Sequence, residues 1–203
     1  MKKPTIGVLA LQGAFREHLQ MLERTGARGM AVKYPAELHL CQGLVIPGGE
    51  STTIGKLMIE YGFLEEVRGL VCEGMPVFGT CAGLIMLAKR LDEGDQPLLG
   101  LMDITVKRNA FGRQVDSFET ELHLEEIEEA EAPYRAVFIR APQIEETGPE
   151  VKVLARFNGK AVIARQDGML VCAFHPELTK DIRVHRYFLK MVNDNYSVRA
   201  ERG

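Results

Sequence analysis

With 203 residues, 46% of them hydrophobic, the chain can bury one sizeable core, and a single domain over residues 1–203 is the expectation. A formal charge of -3, from 25 basic and 28 acidic residues, leaves no excess that would draw the protein to nucleic acid or to an anionic membrane; small, weakly charged substrates fit this balance better. No apolar run approaches the roughly 20 residues that cross a bilayer. The four cysteines, Cys41, Cys72, Cys81 and Cys172, form no C-x-x-C pair, which argues against a zinc knuckle or a thioredoxin-type site and for reduced thiols in the cytoplasm.

The chain opens with two lysines and a short apolar run that stops at Gln12-Gly13 without a cleavage-like site, so residues 5–11 (TIGVLAL) are predicted to form a buried first strand and not a leader. Phe15, Leu19 and Leu22 recur at helical spacing over 14–25, and Gly26 ends that helix. A second strand is expected over 30–34 and a third over 43–46 (GLVI). Pro47-Gly48-Gly49 breaks the third strand, and Ser51 or Thr52 is expected to cap a helix running towards Tyr61. Another helical stretch, LEEVRGLVCEG, precedes a fourth buried strand at 76–80, and residues 82–90 are predicted to leave it as a helix. Strand-helix alternation of this kind implies an α/β fold: a three-layer, open, mostly parallel sheet with helices on both faces.

The second half changes character, with strand-like segments near 102–107, 118–124, 136–140, 151–157 and 161–165 that predict antiparallel additions. Asp167-Gly168 is expected to turn a hairpin into MLVCAF, whose end delivers His175-Pro176-Glu177, and a final amphipathic helix covers 180–193. The acidic run 125–131 is read as a solvated surface segment.

Phe78-Gly79-Thr80-Cys81-Ala82-Gly83 runs from a strand straight into a helix, with small residues on both sides of a cysteine. Small neighbours permit the sharp turn of a nucleophile elbow, which presents a side chain at the carboxyl edge of the sheet, facing a helix N-terminus that favours a thiolate. An isolated cysteine of this kind would more often be a buried structural residue; the glycines and the strand-to-helix junction turn the reading towards a nucleophile. His175 and Glu177 are two apart at the end of an apolar strand, so a period of two predicts both side chains on one face. A histidine oriented by a carboxylate can take the thiol proton and later protonate a leaving amine. After the third strand, the amides of Pro47-Gly48-Gly49-Glu50-Ser51 could hold a carboxylate or an oxyanion. The spacing from Gly49 to Gly55-Lys56, followed by Leu57, breaks the phosphate-loop pattern, and nucleotide binding is rejected.

PGGEST, GTCAG and FHPE, in this order, resemble the class I glutamine amidotransferases, whose glutaminase domains use a Cys-His-Glu triad. LQGAFREH near the start, RNAFGRQVDSFE at 108–119, FIRAP at 138–142 and FHPEL at 174–178 look like the glutaminase subunits of pyridoxal 5'-phosphate synthases, over nearly the whole chain. The resemblance implies Cys81 as nucleophile, His175 as base and later acid, and Glu177 as the group orienting His175. It also implies glutamine contacts at Gly49, Glu50, Ser51, Arg108, Ile139 and Arg140, and an oxyanion hole from the amides of Gly49 and Ala82. Read from the residues alone, Arg108 and Arg140 are strand-end cations suited to a carboxylate or to a surface ion pair. One departure is Val171-Cys172-Ala173, where the family more often has Gly-Cys-Ser; Cys172 is taken as core.

The implied reaction is hydrolysis of L-glutamine to glutamate and ammonia, with ammonia passed to a synthase subunit that builds pyridoxal 5'-phosphate. No cofactor or metal is expected in this chain, the pyridoxal phosphate being the product of the complex. The resemblance also implies that activity depends on the partner, with the loop at 47–51 not in its working form in the lone chain. Other readings are a glutaminase serving an imidazole glycerol phosphate synthase, against which the 108–119 motif argues, an α/β cysteine hydrolase or peptidase, and a non-catalytic binding module.

Overall fold

The computed structural model describes residues 3–108, 117–124, 126–127 and 132–200, the last four by backbone alone. The first half alternates: β1 (Thr5–Leu9), α1 (Phe15–Thr25), β2 (Arg28–Val32), β3 (Gly43–Ile46), α2 (Ser51–Glu60), α3 (Phe63–Cys72), β4 (Val77–Thr80) and α4 (Ala82–Leu87). The second half is strand-rich: β5 (Ala88–Leu91), β6 (Met102–Lys107), β7 (Ser117–Leu122), β8 (Tyr134–Ile139), β9 (Gln143–Thr147), β10 (Lys152–Phe157), β11 (Lys160–Gln166) and β12 (Met169–Cys172), closed by α5 (Arg183–Ala200).

The main sheet runs β2-β1-β3-β4-β12-β11-β9-β6-β5, with β10 paired to β11, while β7 and β8 form a separate antiparallel ribbon. From β2 to β12 every pairing is parallel, and the β11 pairings with β12, β9 and β10 are antiparallel. Asp167, at a φ of 51°, turns β11 into β12, as its pairing with Gly168 predicts. All residues of β3, β4 and β12 are buried, as parallel strands covered on both faces must be.

Alternation along β4 displays the two covering layers. Phe78 packs against His18 of α1 and against His185 and Phe188 of α5, and α1 and α5 touch each other. Gly79 points the other way: a Cβ there would lie 2.5 Å from the backbone of Gly83 and 2.8 Å from Leu87, both in α4. Thr80, back in the first orientation, meets His18. The sheet is thus sandwiched between α1 with α5 and a group containing α4, which contacts α2.

The expected bounds shift at β2, which lies over Arg28–Val32 and not 30–34, and at α5, which covers Arg183–Ala200 and not 180–193, and four further elements depart from the sequence-based expectations. The helix expected over 82–90 stops at Leu87, and Ala88–Leu91 continues as β5, parallel to β6. The strand β9 was not anticipated, because Gln143-Ile144-Glu145-Glu146-Thr147 carries a single buried apolar residue. Neither Ser51 nor Thr52 caps α2; the Glu50 carboxylate does, accepting from the amides of Thr52 and Thr53. His175 and Glu177 do not extend a strand: β12 ends at Cys172, and Pro176–Leu178 forms a 3-10 turn that brings the two side chains together. Of the 108–119 motif, residues 109–116 lie outside the described residues, as do 125 and 128–131 of the acidic run; within that run Ile127 is buried and Glu126 is exposed.

Gly83 permits a closer approach than Gly79, since a Cβ on it would fall 2.0 Å from the carbonyl oxygen of Ile46, a backbone atom held in β3. Gly83→Ala is expected to lower unfolding free energy by about 1–3 kcal/mol, the range of an overpacked core, measured by urea titration. A change below about 0.5 kcal/mol, the size of a neutral surface substitution, would contradict this packing.

Candidate active site

Cys81 stands between β4 and α4 at φ 50° and ψ -103°, a conformation costly for a residue with a Cβ. Its amide donates to the carbonyl of Cys172 at 2.9 Å, which locks the junction to β12. The side chain is buried, with Sγ 3.9 Å from the carbonyl of Ile139 at the end of β8.

His175 is fixed from both sides. Its amide donates to the carbonyl of Val137 at 2.8 Å, and its Nδ1 lies 2.8 Å from Glu177 Oε1. Glu177 is nearly inaccessible, whereas the His175 side chain keeps 12% exposure on the cavity side. The tight fit extends to Gly48, where a Cβ would lie 2.6 Å from His175 Cε1 and 3.4 Å from Cys81 Cβ. Only a residue without a side chain lets the 47–50 loop approach both groups.

Burial works against a charged His175, but its hydrogen bonds with Cys81 and Glu177 outweigh that penalty and push its pKa up to about 10. Burial also disfavours ionised Glu177, yet the hydrogen bond from His175 and the charge of that ring hold its carboxyl below the usual range. At neutral pH the pair is therefore an imidazolium against a carboxylate. The other thiols lack such a setting: burial and Glu37 push Cys41 up to about 11, burial pushes Cys172 well up, and Cys72 is exposed on α3.

Every residue singled out in the sequence lines one cavity of about 570 Å³: Cys81, His175 and Glu177, the loop residues Gly49, Glu50 and Ser51, and Ala82, Arg108, Ile139 and Arg140. They are not equivalent there. Both Glu50 carboxylate oxygens are occupied by the start of α2, one of them also accepting from the Thr53 hydroxyl at 2.7 Å. Ser51 Oγ donates to Gln96 Oε1 at 3.0 Å, and Arg108 Nη1 donates to the same oxygen at 3.0 Å. Arg140 has a φ of 43° and makes no ion pair among the described residues, and Arg108 faces hydroxyl and amide oxygens, so neither cation is consumed by a surface carboxylate. Ala82 is the first residue of α4, so its amide has no partner within the helix.

Three participants were not singled out from the sequence. Gln96 gathers Ser51, Thr52 and Arg108 on one amide oxygen. Gln12 Oε1 accepts from the Glu50 amide at 2.8 Å, and with the Ala14 amide donating to the Gly48 carbonyl at 3.2 Å it ties the 47–50 loop to the segment after β1. His18 lies 3.3 Å from Glu177 Oε2. A glutamine or histidine in a polar loop or helix carries no spacing signal of its own; the one clue was that Gln12 and His18 fall within LQGAFREH.

The SNO glutamine amidotransferase family matches residues 8–194. The chain belongs to that family. Relatives named pyridoxal 5'-phosphate synthase subunit PdxT are 58% identical over 187 residues in Moorella thermoacetica, covering 92% of this chain and 98% of that one, and 56% identical over 187 residues in Pasteurella multocida, covering 92% and 95%. A crystal structure of a glutamine amidotransferase superposes with a TM-score of 0.88 at 49% identity, covering 93% of this chain and 98% of that one. At 15% identity the structure of PurLQS from Thermotoga maritima, TM-score 0.68 over 96% of this chain and 97% of that one, shares the fold. As a member of the SNO family the chain is a glutamine-hydrolysing enzyme, and its α/β fold is that of the glutamine amidotransferases.

In this SNO glutamine amidotransferase the raised pKa of His175 carries a sign. An imidazolium stabilised in the fold contributes stability that is complete below 6.5 and is lost as pH rises through about 10. Glu177→Gln removes one of the partners that raise it while burial remains, so the His175 titration midpoint, followed by NMR of the ring protons, is expected to fall by at least about one unit. An unchanged midpoint would contradict the assignment of the carboxylate as a cause.

Proposed function

We propose that this chain is the glutaminase subunit of a pyridoxal 5'-phosphate synthase and that Cys81, His175 and Glu177 are its catalytic triad. The observation that carries the proposal is that, of the four thiols, Cys81 is the one whose sulfur faces an imidazole, and that imidazole is bonded on its other side to a buried carboxylate. The high identity to proteins named as subunits of that synthase supports the choice of pathway.

In this mechanism Cys81 Sγ attacks the side-chain carbonyl carbon of glutamine and the carbonyl oxygen becomes an oxyanion held by the amides of Gly49 and Ala82. The imidazolium of His175 gives its proton to the nitrogen as the C–N bond breaks, releasing ammonia and leaving a γ-glutamyl thioester. Neutral His175 then takes a proton from water, the hydroxyl adds to the thioester carbon, and the C–S bond breaks to give glutamate and the starting thiolate-imidazolium pair. Glu177 stays ionised throughout and holds the ring. Arg108, Arg140, Ile139 and the 49–51 segment bind the amino-acid end of the substrate, with Ser51 and Arg108 aligned through Gln96.

Ammonia in bulk water at neutral pH is mostly protonated and no longer nucleophilic, so a synthase subunit must receive it directly. The whole chain serves as one glutaminase domain and works in the cytoplasm, where its free thiols stay reduced. It holds no cofactor of its own, and the partner brings the 47–51 loop into its working form.

Ammonia release from glutamine, measured with and without the synthase subunit, tests this reading. Release is expected to require both the partner and Cys81: Cys81→Ala should fall by at least about 10³-fold, and Cys172→Ala should stay within about threefold. Equal loss from the two cysteine substitutions would remove Cys81 from its role, and release indifferent to the partner would remove the synthase.

A further inference from the structure

Behind the triad lies a buried polar cluster that the reaction above does not use. His18 on α1 and His185 on α5 are both fully inaccessible. His18 Nδ1 is 2.9 Å from His185 Nε2, and His18 Nε2 is 3.1 Å from Thr80 Oγ1 and 3.3 Å from Glu177 Oε2. Thr80 immediately precedes Cys81, so one imidazole touches the strand end that carries the nucleophile and the carboxylate that orients the base. Glu177 spends Oε1 on His175; its Oε2 is buried and makes no hydrogen bond of full geometry among the described residues, which leaves His18 as its close polar neighbour.

Carboxylate oxygens only accept, so a proton on His18 Nε2 is the arrangement that avoids opposing two lone pairs at 3.3 Å. Burial keeps both His18 and His185 below the ordinary histidine pKa, so each ring is neutral and carries one proton. With Nε2 protonated, His18 Nδ1 must accept, and His185 Nε2 must donate to it. His185 Nδ1 is then a bare acceptor, and it is buried without a hydrogen-bond partner among the described residues, a position an N–H could occupy only at greater cost. This orientation leaves His185 Nδ1 unpartnered, and it is the one that turns a proton and not a lone pair of His18 Nε2 towards both Thr80 Oγ1, its hydrogen-bond partner, and Glu177 Oε2.

We propose that His18 is a positioning residue for the reaction: its Nε2–H, held in that tautomer by His185, fixes the rotation of the Glu177 carboxylate and through it the orientation of His175. A carboxylate held at one oxygen alone can swing about its last torsion; contact at both oxygens removes that freedom. The proposal rests on the triad reading of Cys81, His175 and Glu177.

Glutamine and asparagine at position 18 test it. A glutamine amide reaches the place of the histidine Nε2, beside Glu177, whereas an asparagine amide reaches only the place of Nδ1, beside His185. Both are uncharged amides in the same buried position, so a general cost to folding falls on both. In the complex with the synthase subunit, H18Q is expected to keep kcat for ammonia release within about threefold, while H18N loses about tenfold with KM for glutamine within about twofold. The His175 Nδ1–H resonance, observed by proton NMR with 15N-labelled histidine, gives a readout free of turnover. It should stay in place in H18Q and shift or broaden away in H18N. Equal kcat and equal resonances in the two variants, whether both retained or both lost, would overturn the role of His18. If the unsubstituted complex releases no ammonia while the resonance still follows the donor at position 18, the triad reading falls and the coupling of His18 to Glu177 and His175 stands.

Discussion

The backbone of Cys81, at φ 50° and ψ -103°, is the constraint on which the site depends. A non-glycine residue pays roughly 1–3 kcal/mol for such a conformation, so neighbouring structure has to impose it. The imposing contacts are visible: Cys81 is tied to Cys172 through its amide, β4 is held between β3 and β12, and α4 presses its glycine against the carbonyl of Ile46. What the strain yields is position. The thiol leaves the end of the central strand and meets the turn after β12, which carries the other two members of the site.

Charge accounts for the rest of the arrangement. Taking an imidazolium and a carboxylate out of water is expensive, and the fold repays it with contacts on both sides of each group. His175 is held by Cys81 and Glu177, and Glu177 by His175 and His18. Behind them the pair of neutral, buried histidines forms a layer between the site and the α1–α5 side of the sheet, with Phe78 edge-on to both rings. The polar groups thus form a line from solvent inward, in which Cys81, His175 and Glu177 line the cavity and His18 and His185 do not.

Most of the parallel half was legible in the sequence because GLVI and PVFGT are short, mostly apolar runs ended by Pro47-Gly48 and by Cys81-Ala82-Gly83, a pattern with few other solutions. The convergence of the 47–51, Cys81 and His175–Glu177 segments was legible for the same reason, since loops at the carboxyl ends of the adjacent parallel strands β3, β4 and β12 converge. Where local propensity and tertiary pairing disagreed, the sequence misled. Ala88-Lys89-Arg90-Leu91 is a helix-favouring run, yet pairing with β6 draws it into a strand. Pro176 has no amide to continue a sheet and a φ suited to a helical turn, which is why His175 and Glu177 share a 3-10 turn and not a strand face. Glu50 competes successfully with Ser51 as a cap because its longer carboxylate spans two amides at once. Gln12, His18 and Gln96 were silent, because their roles exist only through partners distant in the chain.

The central claim is that Cys81 alone among the four cysteines is the nucleophile towards a glutamine side chain. Its most direct test is covalent labelling of the complex with a diazoketone or chloroketone analogue of glutamine, followed by peptide mass spectrometry. The account predicts one adduct per chain, on Cys81, blocked by excess glutamine and absent in His175→Ala. An adduct on Cys41, Cys72 or Cys172 that glutamine blocks equally well, or no adduct at all in a complex that still releases ammonia, would contradict it.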